Sequence, residues 1–233
     1  MDIYESIKSV LAPPHKVGYP FILGGIVAAF LGLIFWHFLA WLGLIFTLFC
    51  LYFFRDPERV PPPRADVFLA PADGLVVSIG PAAPPAELGL GPALRMRVAI
   101  FLSVLDVHVN RVPISGVVTK IAYRAGTFVN AALDKASEDN ERNAIALRLA
   151  GGQEIAVVQI AGLIARRILC DVVEGERVTA GARFGIIRFG SRTDLYLPEG
   201  TLPLVAVGQR MIGGETVIAE LGAAPAAVVT PLA

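Results

Sequence analysis

Cysteine is almost missing from this chain: two of 233 residues, Cys50 and Cys170, lie far apart. No disulfide framework and no metal-ligand spacing follow from such a pair, so no metal site is expected and a reducing compartment fits. Net charge is missing too, with 20 basic residues matched by 20 acidic ones. A neutral chain gives no electrostatic reason to expect nucleic acid as a partner. Histidine is scarce, at positions 15, 37 and 108 only, which leaves few places for imidazole chemistry. Charged residues supply 17% of the chain against 55% hydrophobic. The mean hydropathy of +0.64 is high for a purely soluble protein and directs attention to a membrane segment. The length allows one ordinary domain plus a short extra segment.

Residues 19–54 form that segment, interrupted only by His37, Thr47 and the tyrosines at 19 and 52. One membrane helix needs about 20 apolar residues, so the run is long for one span and slightly short for two. Trp36, His37 and Trp41 lie at its middle, and indoles prefer the membrane interface. These features predict a transmembrane helical hairpin over about 20–35 and 41–54, its tip at an interface. His15 and Lys16 precede the run; Arg55, Arg59 and Arg64 follow it. Basic flanks at both ends place both in the cytoplasm. The expected location is the cell (inner) membrane, with the domain beyond the hairpin on its cytoplasmic face. A secretory signal is disfavoured, because its apolar part is far shorter and Arg55 does not suit a cleavage site.

Pro57 and then Pro61, Pro62 and Pro63 stop the helix and make a stiff linker, so the expected division is an anchor with linker at 1–64 and a second domain at 65–233. Beyond it, short β-type runs punctuated by glycine and proline appear at 74–79, 95–102, 116–122, 144–149, 154–160 and 184–188. Helix is expected only in pieces, for example at 129–137. An internal echo sets residues 173–181 on 206–214, with Gly175 on Gly208, Arg177 on Arg210 and Gly181 on Gly214. This spacing suits tight turns flanking a short strand. The fold predicted is mainly β (α+β): a β-sandwich or flattened barrel with hairpins like those of lipoyl and biotinyl carrier domains.

His108 is the one histidine beyond the membrane segment and its flanks, and it follows the apolar strand 95–102 within Asp106-Val-His-Val-Asn-Arg-Val-Pro113. Alternation would put Asp106 and His108 on one face. Taken singly, a lone histidine usually satisfies a local hydrogen bond, the Asp73-Gly74 pair usually marks a β-turn, and so does Gly190-Ser191. Taken together, Ser191, His108 and Asp73 could supply a nucleophile, a base and an orienting carboxylate.

These segments resemble the phosphatidylserine decarboxylase family in its short, membrane-anchored form. The resemblance runs through Phe53-Phe-Arg-Asp-Pro-Glu-Arg59, Pro71-Ala-Asp-Gly74, Asp106–Pro113, Leu133–Asn143, Phe189-Gly-Ser191 and Val207-Gly-Gln-Arg210. It implies self-cleavage between Gly190 and Ser191 into chains 1–190 and 191–233, held together as a heterodimer. It also implies a pyruvoyl cofactor made from Ser191, which forms a Schiff base with the substrate amine. The implied reaction converts phosphatidylserine to phosphatidylethanolamine and carbon dioxide, so a phospholipid and a membrane are the expected partners. His108 would be the base and Asp73 would hold and charge its imidazole, while Arg111, Arg142 and Arg192 could meet the lipid phosphate. Two departures stand out. Longer members carry Leu-Gly-Ser-Thr at the cleavage point and a second histidine three residues after the first, where this chain has Phe189–Arg192 and Arg111. A carrier or adaptor of the lipoyl type is the alternative, since Leu133-Asp-Lys135-Ala is similar to a lipoylation sequence. A pyruvoyl decarboxylase for a soluble amino acid is another, though it would leave the apolar hairpin without a use.

Overall fold

The computed structural model describes residues 12–126, 140–162, 167–188 and 190–222; the expected helix at 129–137 lies outside them. The chain divides into two compact units, Met1–Glu58 and Arg59–Ala233.

In the first unit a 3-10 turn, Lys16–Gly18, runs into helix α1, Tyr19–Phe35, which has Pro20 in its first turn. Trp36 alone leaves the helical region, at φ −166° and ψ 105°, and helix α2, His37–Phe53, begins at the next residue. The second helix therefore starts four residues before the expected position 41. The Trp36 carbonyl already accepts the N–H groups of Leu39 and Ala40, so one extended residue is enough to reverse the chain. Small residues let the two backbones approach closely. A Cβ added at Gly32 would lie 2.1 Å from the Ala40 nitrogen, and one at Gly43 would lie 2.4 Å from the Ala29 nitrogen. The outward faces stay apolar, with Leu23, Phe30, Trp41 and Ile45 exposed. Lys16–Phe35 is 20 residues long and apolar enough to cross a membrane by length and composition, and His37–Phe53 is a shorter apolar helix.

The second unit is built of antiparallel strands. One curled sheet has eight of them, in the order β12-β2-β3-β11-β7-β6-β5-β9. These are β2 Gly74–Ala82, β3 Arg95–Leu102, β5 Gly116–Arg124, β6 Arg142–Arg148, β7 Glu154–Ala161, β9 Arg177–Val178, β11 Ser191–Tyr196 and β12 Arg210–Met211. A three-stranded sheet joins β4, Val109–Arg111, β10, Arg183–Ile187, and β8, Ile168–Cys170; a third pairs β1, Val67–Leu69, with β13, Val217–Glu220. The result is a mainly β flattened half-barrel. Its apolar interior includes Phe68, Ile100, Ile145, Val157, Phe184 and Leu195. On the outer face of the large sheet, Ala144, Val158, Ile160 and Tyr196 pack against Leu88.

The sequence echo is a structural repeat. Gly175 and Gly208 both take positive φ, as do Gly181 and Gly214. Gly175 N–H donates to Val118 O and Gly208 N–H to Val76 O, each at 2.8 Å. The partner strands repeat too: β5 and β2 each begin with glycine, and each has an irregularity two residues later, at Val118/Lys120 and Val76/Ser78. Ser115 Oγ accepts the Ala180 N–H at 2.9 Å, and Asp73 Oδ1 accepts the Gly213 N–H at 2.8 Å. Asp73 and Ser115 thus occupy equivalent places in two halves, each satisfying the N–H just before a left-handed glycine.

Candidate active site

Strand β11 carries Ser191 as its first residue, paired with Leu102 of β3 on one side and Ala161 of β7 on the other. Paired residues of antiparallel strands share a face, and alternate residues along a strand do too. Ser191, Thr193 and Leu195 therefore face the barrel interior together. Leu195 belongs to the apolar core, whereas Thr193 lies in a polar row with Gln159 and Asn143. Gln159 Nε2 donates to Asn110 Oδ1 at 2.8 Å, and Asn143 Nδ2 donates to Gln159 Oε1 at 2.9 Å. Asn110 Nδ2 reaches Thr193 Oγ1 at 3.5 Å. The interior thus changes from apolar to polar toward the Ser191 end. A glutamine inside the apolar run 154–161 was the signal that could have revealed this row from sequence.

Ser191 is fully buried, and its Oγ has no hydrogen-bond partner among the described residues. A buried hydroxyl left unsatisfied costs about 1–3 kcal/mol, so its retention calls for an explanation. The residue before it supplies one. Gly190 takes φ +67°, a left-handed conformation that strains any side chain. Its carbonyl oxygen accepts the Gly162 N–H at 3.1 Å, and its own N–H points to His108 Nε2 at 3.4 Å. His108 is buried, with Nδ1 2.9 Å from the Asp106 carbonyl oxygen. A carbonyl can only accept, so Nδ1 carries the proton and Nε2 presents its lone pair to the Gly190–Ser191 junction.

Ser191, Gly190 and His108 are therefore brought together, along with Gly162, which the sequence did not single out. The contact that orients His108 Nδ1 comes from the Asp106 backbone. Asp106 and His108 do not alternate along one strand, because residues 103–106 form a turn whose Asp106 N–H donates to Ser103 O at 3.0 Å. The Asp106 carboxylate takes the Ser103 N–H and Oγ at 2.8 and 2.7 Å, and it also pairs with Arg210. Asp73 binds Arg59 Nη2 at 2.8 Å in addition to the Gly213 N–H.

The three arginines meet internal partners. Arg192 lies on the outer face of the sheet, opposite to Ser191, in a bidentate pair with Asp194 at 2.6 and 2.8 Å, both side chains fully buried. Arg142 shares that outer face through the pairing of both with Ile160, and it binds Glu87. That contact, with Arg142 donating a hydrogen bond, holds the Glu87 carboxyl below its usual value. Arg111 Nη1 donates to Gly181 O at 2.9 Å. Lys135 and Phe189 lie outside the described residues.

With this geometry in hand, the comparisons decide the family. The family model described as phosphatidylserine decarboxylase matches residues 46–219, which is most of the chain. This chain belongs to the phosphatidylserine decarboxylase family. Among its relatives, the phosphatidylserine decarboxylase proenzyme of Granulibacter bethesdensis is 69% identical over 95% of this chain and 91% of its own length. The proenzyme of Gluconobacter oxydans is 60% identical over 95% of this chain and all of its own. That of Saccharopolyspora erythraea is 56% identical over 93% of this chain and 92% of its own. The word proenzyme in those relatives' names gives a decarboxylase family a reason to keep an unpaired serine beside a left-handed glycine.

Proposed function

We propose that this chain is a zymogen that cleaves itself between Gly190 and Ser191 and then decarboxylates phosphatidylserine to phosphatidylethanolamine and carbon dioxide at a membrane. The observation that carries this reading is the buried Ser191 hydroxyl without a hydrogen-bond partner among the described residues, next to a scissile carbonyl held by Gly162. His108 Nε2 takes the Ser191 proton as Oγ attacks the Gly190 carbonyl carbon. The negative charge that develops on the carbonyl oxygen falls on the Gly162 N–H, a fixed donor of the kind that stabilises tetrahedral intermediates. The carbon–nitrogen bond breaks, the proton passes to the nitrogen of residue 191, and an ester joins Gly190 to Oγ. Loss of the Cα proton then breaks the Cβ–Oγ bond and releases Gly190 as a carboxylate. The dehydroalanine left behind takes up water and loses ammonia, which leaves a pyruvoyl group at the new N-terminus.

The residues present suit such a group, since the position is buried, begins a strand and faces a neutral imidazole. Once formed, the pyruvoyl group would supply the carbonyl that captures the substrate amine and the electron sink that decarboxylation requires. Chains 1–190 and 191–233 would stay together through β11, which is paired on both edges within the large sheet. Asp73 supports the site indirectly in this reading. It fixes the turn at 71–74, whose Pro71 carbonyl takes the Arg111 N–H, and it ties that turn to Arg59. Arg111, Arg142 and Arg192 serve the folded domain through the partners named above. The apolar hairpin sits in the inner membrane with both ends cytoplasmic, which brings the catalytic domain to lipid headgroups. A carrier domain would need an accessible modified lysine, and the polar row under Ser191 would have no role in it.

Incubating the purified full chain with phosphatidylserine in mixed micelles tests the proposal. Phosphatidylethanolamine should form in proportion to the two-chain fraction, and Ser191→Ala should give neither product nor cleavage. Product from uncleaved Ser191→Ala would refute it.

A further inference from the structure

A pair of arginines lies beside the proposed cleavage point, outside the family's motifs quoted above and unused by the mechanism. Strand β8 begins at Ile168 and β10 ends at Ile187, and these two residues are paired. The next pair outward is Arg167 and Arg188, whose backbones are joined by Arg188 N donating to Arg167 O at 3.4 Å. Two guanidinium groups on one face, directly opposite, repel each other, and such an arrangement is destabilising unless an anion is shared. Arg167 is exposed and Arg188 half-buried.

Glu141 is the carboxylate set into this cluster. It is buried, its backbone carbonyl accepts the Ala161 N–H at 2.9 Å, and its Oε1 accepts the Ile168 N–H at 3.4 Å. It therefore lies in the lateral row Ser191–Ala161–Glu141 across β11, β7 and the start of β6. Burial first, and then the Arg167 charge, hold Arg188 below the ordinary guanidinium value, while Glu141 acts in the opposite sense. Burial and then Glu141 push the nearby Tyr123 hydroxyl up, with Arg167 opposing. Because Ile168 adjoins Arg167, the Ile168 N–H contact sets the Glu141 carboxylate beside the end of the Arg167–Arg188 pair. Counting Arg167, Arg188 and Glu141, the cluster carries a surplus positive charge.

We infer that Arg167 and Arg188 form the subsite for the phosphate of the phosphatidylserine headgroup, with Glu141 as their internal counter-ion. This rests on Ser191 being the reacting position. Arg188 is three positions from Ser191, so their Cα atoms lie at most roughly 10 Å apart. A headgroup whose amine is held at residue 191 extends its phosphate only a few bonds further, within reach of an extended guanidinium. Arginine pairs suit phosphate because their planar donor forks match its oxygens. Arg142 and Arg192, by contrast, lie on the opposite face of the sheet and already have carboxylate partners.

The test uses the full-length protein in mixed micelles and reads cleavage and turnover separately. The double variant Arg167→Gln/Arg188→Gln should mature to the wild-type two-chain fraction, yet show KM for phosphatidylserine raised roughly tenfold or more with kcat much less affected. Arg167→Gln alone, altering an exposed residue, should mature normally and raise KM severalfold. Soluble glycerophosphoserine should compete with the lipid in wild type and lose that ability in the double variant, at concentrations where inorganic phosphate does not compete. Unchanged KM in the matured variants would overturn the assignment. So would failure of both variants to mature, which would give the pair to self-cleavage, or equal competition by inorganic phosphate, which would make it a general anion site. If wild type is active but never cleaved, the Ser191 reading fails while the KM comparison still reports on the arginine pair.

Discussion

His108 and Gly162 contact opposite ends of Gly190, its N–H and its carbonyl oxygen, and substitutions separate their roles. His108→Gln keeps a polar side chain in the pocket but cannot take a proton near neutral pH, so uncleaved precursor should accumulate by about 10²–10⁴-fold in rate, measured as the two-chain fraction over time. Normal maturation would remove His108 from the mechanism. Arg111→Ala should still mature, since Arg111 binds Gly181 O, but its loss should lower stability by about 1–3 kcal/mol in urea melts. Asp73→Asn should slow maturation only partly, because the amide oxygen can still accept the Gly213 N–H while the Arg59 ion pair is weakened. At this scale the sequence was informative about the junction itself. A glycine before a serine, with one histidine in a motif elsewhere, named the groups that the fold brings together. It was silent on which carbonyl or amide would touch them. The Gly162 N–H and the Asp106 carbonyl are backbone groups that any residue carries, so no side-chain pattern could announce them. The arginines were ambiguous for another reason: strand alternation sends Arg192 to the face opposite Ser191, and a one-residue shift in β11 would have reversed that.

Among the elements, the six β-type runs correspond to β2, β3, β5, β6, β7 and β10. Short strands such as β4 and β8, with three residues each, lack enough length to show a period. The echo between residues 173–181 and 206–214 was legible because left-handed glycines carry it. Its other half, in which Ser115 stands for Asp73, was hidden by the change of residue type. The polar row makes a stability prediction. Gln159→Leu removes a partner from both Asn110 and Asn143, so it should lower stability by about 1–3 kcal/mol for each group left unpaired, seen as a fall in Tm. A second prediction concerns pH. Burial, and then the Asp194 charge, push the Tyr196 hydroxyl up to about 12 from 10.0. The folded state thus keeps Tyr196 protonated where the unfolded chain ionises, so its contribution is complete below 10.0 and is lost as pH rises toward about 12. Tyr196→Phe should show a shallower loss of stability across that window, and an equal slope would contradict the burial argument.

For the molecule as a whole, the hairpin and the catalytic unit make separate predictions. The apolar run and its basic flanks were plain in sequence, whereas the reversal at a single residue, Trp36, depended on close packing at Gly32 and Gly43 that hydropathy does not encode. If both ends are cytoplasmic, as proposed, single cysteines placed by Glu5→Cys and Ala65→Cys, in a background without Cys50 and Cys170, should both resist a membrane-impermeant thiol reagent in intact cells. Labelling of only one site would rule out the double crossing. The central claim, that Ser191 becomes the working group of a two-chain decarboxylase, is tested most directly by the intact mass of the purified, active protein. The account predicts two masses, for residues 1–190 and for residues 191–233 with a pyruvoyl N-terminus that resists Edman sequencing until it is reductively aminated. A single full-length mass in a preparation that decarboxylates phosphatidylserine would contradict it.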